Sequence, residues 1–284
     1  MIFLWLIRII YFIICFILSL IMSFSIKRFL KESKNDRMPT YIFMIFYILN
    51  SLISNYILEI RGVITLIINC IFLLFSYSII KRLKIFGLTG QIASGKSTMS
   101  KYLEEKYQVV IIDVDKVNAE VLKEEQVIKK IKSTFGEGVF DEFGNLNKLE
   151  MRKIIYSDKD KKRQLEKITH FRVFMKLFYK ILQIKFANYK TIIIIENAIL
   201  LQIPILKYIC FLIIAVVSNN MALKVRRIMD RDGISDRVLA ENIVNSQMSI
   251  DEFKEKADIV IENNGDLDDF YITGDKLAEI LILS

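Results

Sequence analysis

The chain has 284 residues, of which 53% are hydrophobic and only two are proline, and its formal net charge is +8. A soluble α/β enzyme is rarely so apolar, which predicts that part of the chain lies in lipid. Its three cysteines lie in apolar runs without metal-ligand spacing or a disulfide framework, and the absence of an arginine-rich run argues against a nucleic-acid partner.

Residues 1–84 contain three apolar segments that predict transmembrane helices, at about 2–24, 41–58 and 62–80. About 20 apolar residues are needed to cross the hydrocarbon core of a bilayer, and the middle segment is the weakest of the three. The alternatives are buried core helices or, for the first segment, a cleaved signal peptide. That segment lacks the basic start and the small-residue cleavage site of a signal peptide.

Basic residues flank these segments unevenly. They cluster between residues 25 and 40 and again between 81 and 84, whereas the connector 59–61 is almost bare of charge. The positive-inside rule then places the N-terminus outside and everything after Lys81 inside. The sequence therefore predicts a multi-pass membrane protein, with a lipid-anchored region at 1–84 and a catalytic domain at 85–284 that faces the cytosol.

A glycine-rich loop follows the first strand of the predicted catalytic domain. Residues 90–97 fit the phosphate-binding pattern G-x-x-x-x-G-K-[ST], between an apolar strand at 84–88 and a helix at 96–106. The amides of such a loop point at phosphate groups, Lys96 supplies charge to the β- and γ-phosphates, and Ser97 suits Mg²⁺. The residues predicted to bind ATP are Gly90, Gln91, Ile92, Ala93, Ser94, Gly95, Lys96, Ser97 and Thr98.

Two carboxylates, Asp113 and Asp115, follow the next buried strand at 109–112. They point the same way in an extended chain, and ligands of open α/β sheets bind at the carboxyl ends of the strands. A carboxylate there can accept a proton from a substrate hydroxyl or hold Mg²⁺. Asp115 can instead cap the helix that begins at Lys116, so the spacing leaves the two roles unassigned.

The segment 118–189 is mostly helical and strongly charged, which predicts a helical insertion between the second and third strands. His170 is the only histidine and lies beside aromatic residues on a helix, where a packed or capping role is the more common one. Glu196 follows the third buried strand, at 191–195. It either orients Mg²⁺ through water or caps the following turn.

The rest of the chain supplies two more buried strands, at 208–217 and 257–261, and a closing amphipathic helix at 269–283. Before the last strand, Lys224, Arg227 and Arg231 recur at i, i+3 and i+7, so they share one helix face. Such a face is either solvated surface or a lid that closes over a transferring phosphate. The lid is the favoured interpretation for Arg227 and Arg231.

In order along residues 87–265, these motifs resemble those of the dephospho-coenzyme A kinase family. Besides the phosphate loop, the resemblance rests on Asp113-Val114-Asp115, on Ser246-Gln247-Met248-Ser249 and on the ending from Ala257 to Gly265. It implies an α/β P-loop kinase with a five-stranded parallel sheet, a helical substrate-binding insertion and a lid. It also implies transfer of the ATP γ-phosphoryl group, with Mg²⁺, to the ribose 3′-hydroxyl of dephospho-coenzyme A, the last step of coenzyme A synthesis.

The resemblance implies residue roles as well. Asp115 would be the general base, and Lys96 would bind the transferring phosphate. Arg227 and Arg231 would lie in the lid, and Arg231 is counted with the catalytic residues. Asp113, Asp115 and His170 would contact the acceptor substrate.

Some positions depart from the family pattern. Gln91 stands where the family usually has glycine, while Ala119, Gln202 and Ile243 replace an arginine, a glutamate and a second arginine. Most of these changes fall on the acceptor side of the site. Two alternatives therefore remain: a diverged membrane-tethered module that binds ATP, and a kinase for another small nucleotide-like hydroxyl substrate.

Overall fold

The computed structural model describes residues 83–147, 150–151, 154–155, 158–232, 236–245 and 247–283, with a few isolated positions between 11 and 71. Within these residues, five parallel strands form one sheet: β1 (Ile85–Gly90), β2 (Val110–Asp113), β3 (Ile193–Glu196), β4 (Ile213–Val217) and β5 (Ile259–Glu262). Their order is β2-β3-β1-β4-β5, so the strand that leads into the phosphate loop is central. The predicted α/β fold with a five-stranded parallel sheet is confirmed.

Helices connect the strands. They are α1 (Lys96–Tyr107), α2 (Val114–Val121), α3 (Glu125–Phe135), α4 (Lys159–Ala187), α5 (Pro204–Ile209), α6 (Met221–Asp232), α7 (Arg237–Asn245), α8 (Ile250–Lys256) and α9 (Leu267–Leu283), with short 3₁₀ turns at Glu137–Val139 and Leu200–Gln202.

The sheet is apolar on both faces because helices cover both of them. Side chains alternate along each strand, so neighbouring residues belong to different layers of the core. Leu88 clusters with Leu103 of α1 and with residues of α9 on one face. Ile195 clusters with Leu177 of α4 on the other. The core therefore lies in two layers, and the carboxyl edge of the sheet between them is left for the site.

The region between β2 and β3 is the predicted helical insertion. Helices α2, α3 and α4 enclose an apolar cluster of their own, which includes Val121, Ile131 and Val139. Helix α4 is also tied to the other two by ion pairs, since Lys180 lies 2.7 Å from Glu120 and the Glu124 carboxylate accepts from two cations of α4. These ion pairs hold the helices of the insertion to one another.

One strand prediction was too long. The apolar run 208–217 contains the end of α5 and a turn before β4 begins at Ile213. Pro204 occupies the first turn of α5, where a missing N–H costs nothing. The run is apolar because α5 and the turn also pack against the sheet, with Leu206 and Cys210 buried in the same cluster as Ile213.

The prediction of a multi-pass membrane location is contradicted. Among the residues that the structure describes, no helix is both long enough and apolar enough to cross a bilayer. The three predicted segments, 2–24, 41–58 and 62–80, lie outside the described residues apart from isolated positions. The predicted lipid partner therefore has no support.

Candidate active site

The glycine-rich loop adopts the strained backbone that its glycines allow. Gly90 has φ +141°, and a Cβ there would lie 2.0 Å from the carbonyl oxygen of Val216. Gly95 has φ +103°, and a Cβ there would lie 2.5 Å from the Asn263 amide nitrogen. Since neither position accepts a side chain, the loop forms a tight backbone cradle in which amides converge at the start of α1.

Two further features of the loop fit a phosphate ligand. Asn263, which follows β5, donates from Nδ2 to the Ser94 carbonyl at 2.9 Å and so fixes the loop from outside. The Ser94 hydroxyl is buried and has no hydrogen-bond partner among the described residues. Ser97 and Thr98 are exposed on the first turn of α1, beside the cradle.

Lys96 and Glu196 bring the charges of the loop and of β3 together. Lys96 Nζ donates to the carbonyl oxygens of Gln91 at 2.8 Å and Gly90 at 3.1 Å, which holds the ammonium group across the loop. Glu196 accepts from the Ser97 hydroxyl at 3.2 Å and from the Ser100 hydroxyl at 2.5 Å. Ser97 and Glu196 therefore converge on one point, and both supply the oxygen ligands that Mg²⁺ prefers.

The two carboxylates after β2 occupy different positions. Asp113 is the N-cap of α2, because its Oδ1 accepts from the backbone N–H groups of Asp115 at 2.9 Å and Lys116 at 3.2 Å. The alternative in which Asp115 caps the helix is therefore wrong. Asp115 lies in the first turn of α2, and its Oδ1 accepts from the buried Asn197 amide at 3.4 Å.

The surroundings of Asp115 suit a proton acceptor. Partial burial of its carboxyl group, reinforced by the negative charges of Asp113 and Glu196, raises its pKa above the ordinary 3.8, and Lys96 opposes the shift. The residue as a whole stays open to solvent. A carboxylate with a raised pKa that is accessible beside a phosphate loop can accept a hydroxyl proton.

A groove of about 630 Å³ leads away from this point along the β2 edge of the sheet. Its lining includes Ser97, Asp113 and Glu196, together with side chains of α1 and of the last part of α4. The groove is mixed in character, with apolar residues of β2 as its floor and charged residues of both signs along its rims. The groove therefore joins Ser97 and Glu196 to the helices of the insertion, and it offers both polar and apolar contacts to a ligand.

The predicted lid face contacts the loop from the opposite side. Arg227 Nη1 donates to the Ala93 carbonyl at 3.0 Å, and Lys224 Nζ donates to the side-chain oxygen of Gln91 at 3.1 Å. Arg231 lies on the same helix, α6, and its side chain is outside the part that the structure describes. Two of the three cations predicted to share a face thus reach the loop.

His170 is on the exposed side of α4. Among the described residues, the hydrogen bonds and ion pairs do not join it to Asp115 or to the loop. Its predicted contact with an acceptor stays a prediction.

Sequence reasoning missed three residues of the site. Ser100 is bonded to Glu196, Asn197 to Asp115, and Asn263 to the loop. Asn197 had a signal, because it directly follows a carboxylate at a strand end. Ser100 had only its position one helical turn after Lys96.

Comparison with known proteins gives consistent matches over the part of the chain that carries the site. The family model described as dephospho-CoA kinase matches residues 84–269. The dephospho-CoA kinase of Fusobacterium nucleatum is 38% identical over 197 residues, which cover 69% of this chain and 98% of that protein. The dephospho-CoA kinase of Arabidopsis thaliana is 33% identical over 190 residues, which cover 66% of this chain and 80% of that protein.

A solved structure shares the fold. TT1252 from Thermus thermophilus superimposes with a TM-score of 0.56 at 25% identity, over 69% of this chain and 96% of that one.

Proposed function

The chain belongs to the dephospho-CoA kinase family, and we propose that it transfers the γ-phosphoryl group of ATP to the ribose 3′-hydroxyl of dephospho-CoA, giving coenzyme A and ADP. The observation that carries this proposal is the position of Asp115, with its raised pKa, beside a complete phosphate loop. In the reaction the bond from the ribose oxygen to phosphorus forms, and the bond from the γ-phosphorus to the bridging oxygen of ADP breaks. The hydroxyl proton passes to an Asp115 oxygen.

The loop binds the phosphates of ATP. Its amides and the N-terminus of α1 face the β-phosphate, and Lys96 supplies a positive charge to the β- and γ-phosphates. Arg227, which donates to the Ala93 carbonyl of the loop, is our candidate for a lid contact with the same phosphates, and Arg231 is proposed for the same role from its place on α6. Ser97 and Glu196 would hold Mg²⁺, which would neutralise part of the charge that develops during transfer.

Asp115 takes the role of general base rather than Asp113. Asp113 Oδ1 accepts from two backbone N–H groups at the start of α2, so that oxygen is committed to the helix cap and is not available to a substrate hydroxyl. Asp115 has one weak amide contact, from Asn197, which orients the carboxylate and leaves its second oxygen for the substrate. The Asp113 charge remains useful because it helps to raise the pKa of Asp115.

The departures from the family pattern support retention of the ATP side and a changed acceptor side. Ile243 packs in the apolar cluster of α6 and α7, together with Val225 and Ile228. Gln202 is exposed after β3. An acceptor of the same class then relies on fewer charged contacts, and the proposed contacts are His170 in the helical insertion and Asp113 at the end of β2.

The test is a transfer assay with purified protein, ATP, Mg²⁺ and dephospho-CoA, in which the 3′-phosphorylated product is measured. We expect Asp115→Asn to lower kcat by about 10²–10³-fold, the usual contribution of a general base to the rate. Its KM for ATP should stay within about threefold of that of the unmutated protein. Glu279→Gln, which neutralises an exposed carboxylate on α9 outside the groove, is the matched control.

Two results would count against this function. The first is an unmutated protein that binds ATP and gives no product. The second is a higher kcat/KM for nucleoside monophosphates than for dephospho-CoA, which would move the substrate to another class.

A further inference from the structure

Lys224 is a buried cation that the proposed chemistry does not use. Its side chain is 5% exposed, and among the described residues no carboxylate forms an ion pair with it. Its hydrogen-bond acceptor is neutral, the Gln91 side-chain oxygen at 3.1 Å. Burial lowers the pKa of the Lys224 ammonium group. A buried charge without an opposite charge is costly, so its position calls for a reason.

The Gln91 side chain is held at three points. Its oxygen accepts from Lys224 Nζ at 3.1 Å and from the Ser218 backbone N–H at 3.4 Å, while its nitrogen donates to the Met248 carbonyl at 3.5 Å. Two donors on one side and an acceptor on the other fix which end of the amide is the oxygen. The side chain is buried, so it has one orientation rather than several.

The same residue also holds the catalytic lysine. The backbone carbonyl of Gln91 accepts from Lys96 Nζ at 2.8 Å, and the backbone N–H of Gln91 donates to Val216 at 3.2 Å. A chain of contacts therefore runs from Lys224 through Gln91 to Lys96. The contacts that hold the Gln91 side chain and the carbonyl that holds Lys96 thus belong to one residue.

These contacts join the loop to α6 and to the residues that follow α7, and we call this pair of helices the lid. Lys224 lies near the start of α6, and Met248 follows α7. Beside Met248, the Gln247 side-chain oxygen accepts from the Ile92 backbone N–H at 2.6 Å. Ile92 also packs against the apolar cluster shared by α6 and α7. The loop is thus fastened to the base of the lid on both sides.

We propose that Lys224 is a positioning residue, which acts through the Gln91 side chain to fix the phosphate loop to the base of the lid. It touches neither ATP nor the acceptor. The loop that it holds is preorganised for the phosphates of ATP, which lowers the entropic cost of ordering the loop on binding. This inference rests on the proposed use of ATP and is independent of the acceptor.

The matched pair of variants is Lys224→Met and Arg226→Met. Both remove a cation from α6, but Arg226 is exposed and pairs with Asp230 on another side of the helix. We expect Lys224→Met to raise the Kd for ATP about tenfold by calorimetry, a loss of one charge-assisted hydrogen bond. Its kcat at saturating ATP should change less than about threefold, since the catalytic groups remain. Arg226→Met should bind ATP as the unmutated chain does.

Thermal unfolding separates positioning from simple stability. Methionine fills the space of a buried, unpaired ammonium group, so Lys224→Met should unfold at the same temperature or higher while it binds ATP more weakly. Lys224→Gln keeps a neutral donor for Gln91, and we expect its Kd for ATP to lie between those of the unmutated chain and Lys224→Met. Adding Lys224→Met to Gln91→Gly should weaken ATP binding no further than Gln91→Gly alone, because both changes break the same contact.

The inference is overturned if Lys224→Met binds ATP with unchanged Kd, or if the effects of the two substitutions multiply. It is likewise overturned if weaker binding appears only in variants that unfold at lower temperature. Failure of the proposed function looks different. In that case the unmutated chain binds ATP without phosphorylating dephospho-CoA, and the Kd comparison among variants still decides the role of Lys224.

Discussion

Asp113 and Asp115 are two residues apart, but their carboxylates accept hydrogen bonds from different donors. At the boundary between β2 and α2, Asp113 caps the free N–H groups at the start of the helix. Asp115 lies two residues later, within the first turn of α2. The alternation of an extended chain predicts that both point to one edge of the sheet. It does not predict where the strand stops, and one residue at that boundary decides which carboxylate is the cap.

The raised pKa of Asp115 gives a pH prediction. The rate should fall as pH decreases through that pKa, because a protonated Asp115 cannot accept the substrate proton. Asp113→Asn removes a negative neighbour that raises the Asp115 pKa, while asparagine still caps α2. The acid limb of the kcat/KM profile should therefore move to lower pH in this variant.

ATP and dephospho-CoA titrate identically in assays of the unmutated protein and of Asp113→Asn. A difference between the two kcat/KM profiles therefore reports on a group of the enzyme. An acid limb at the same pH in Asp113→Asn would remove Asp115 as the group that titrates.

At the scale of the element, the short helix α8 depends on its cap. Ser249 accepts from the Glu252 N–H at 3.2 Å, and Glu252 accepts from the Ser249 N–H at 2.9 Å, which is a complete capping box. The hydrogen bonds from Ser249 lower the pKa of the Glu252 carboxyl. The helix directly follows Gln247 and Met248, so its start sets where those two residues meet the loop.

We expect Ser249→Ala to lower the free energy of unfolding by about 1 kcal/mol, because it leaves the Glu252 backbone N–H without its partner. Chemical denaturation measures the change. Ser249→Asp keeps an acceptor at the cap and should retain most of the stability. Ser133→Ala removes an exposed serine within α3 and serves as the control. Equal losses in the alanine and aspartate variants would contradict a role for the cap.

Secondary-structure elements with a clear hydrophobic pattern, or with a glycine or a charged residue at the boundary, could be predicted from the sequence. The strands β1, β2, β3 and β5 are short apolar runs that end at a glycine or a carboxylate, and the loop after β1 has its own pattern. The run 208–217 has no such boundary. Helix α5 and strand β4 are both buried there, and burial makes both apolar.

At the scale of the whole molecule, helices α1 and α9 are joined at a distance from the site. Asp275 of α9 accepts from Lys106 Nζ at 2.8 Å and from the hydroxyls of Tyr102 and Tyr107 of α1. The bond from Lys106, followed by those from the tyrosines, lowers the pKa of Asp275 to about 2. Tyr102 also stacks on Tyr271, with ring centroids 4.3 Å apart.

Asp275→Asn should lower the melting temperature at pH 7 by about 2 °C, a modest effect because the cluster is exposed. A carboxyl whose folded pKa lies below its ordinary 3.8 stabilises the fold above that pH, and the contribution is lost as pH falls toward about 2. The difference between the two proteins should therefore shrink below pH 4. Calorimetry across this range measures it.

Glu125→Gln is the control for that series, since Glu125 forms an exposed pair with Lys129 in a single helix. A difference between Asp275→Asn and the unmutated chain that stays constant from pH 7 to pH 2 would contradict the assignment.

Long-range arrangement is the part that the sequence leaves open. The contact of Lys224 with Gln91 joins positions 133 residues apart. The order of the strands likewise depends on pairs that are distant in the sequence. A local sequence pattern carries no signal of such pairs. The resemblance to a family supplied the architecture that periodicity alone could not. The membrane location came from apolar composition in residues 1–84, and composition does not distinguish lipid from other apolar surroundings.

The direction of β1 has a practical consequence. Ile85 is at one edge of the sheet and the phosphate loop is at the other, about 20 Å away for a six-residue strand. Lys84 donates to the Ile282 carbonyl at 2.5 Å, so the two ends of the described domain meet at the edge opposite the loop. A support or a fusion partner attached through either of these ends would leave the phosphate loop facing away from the point of attachment.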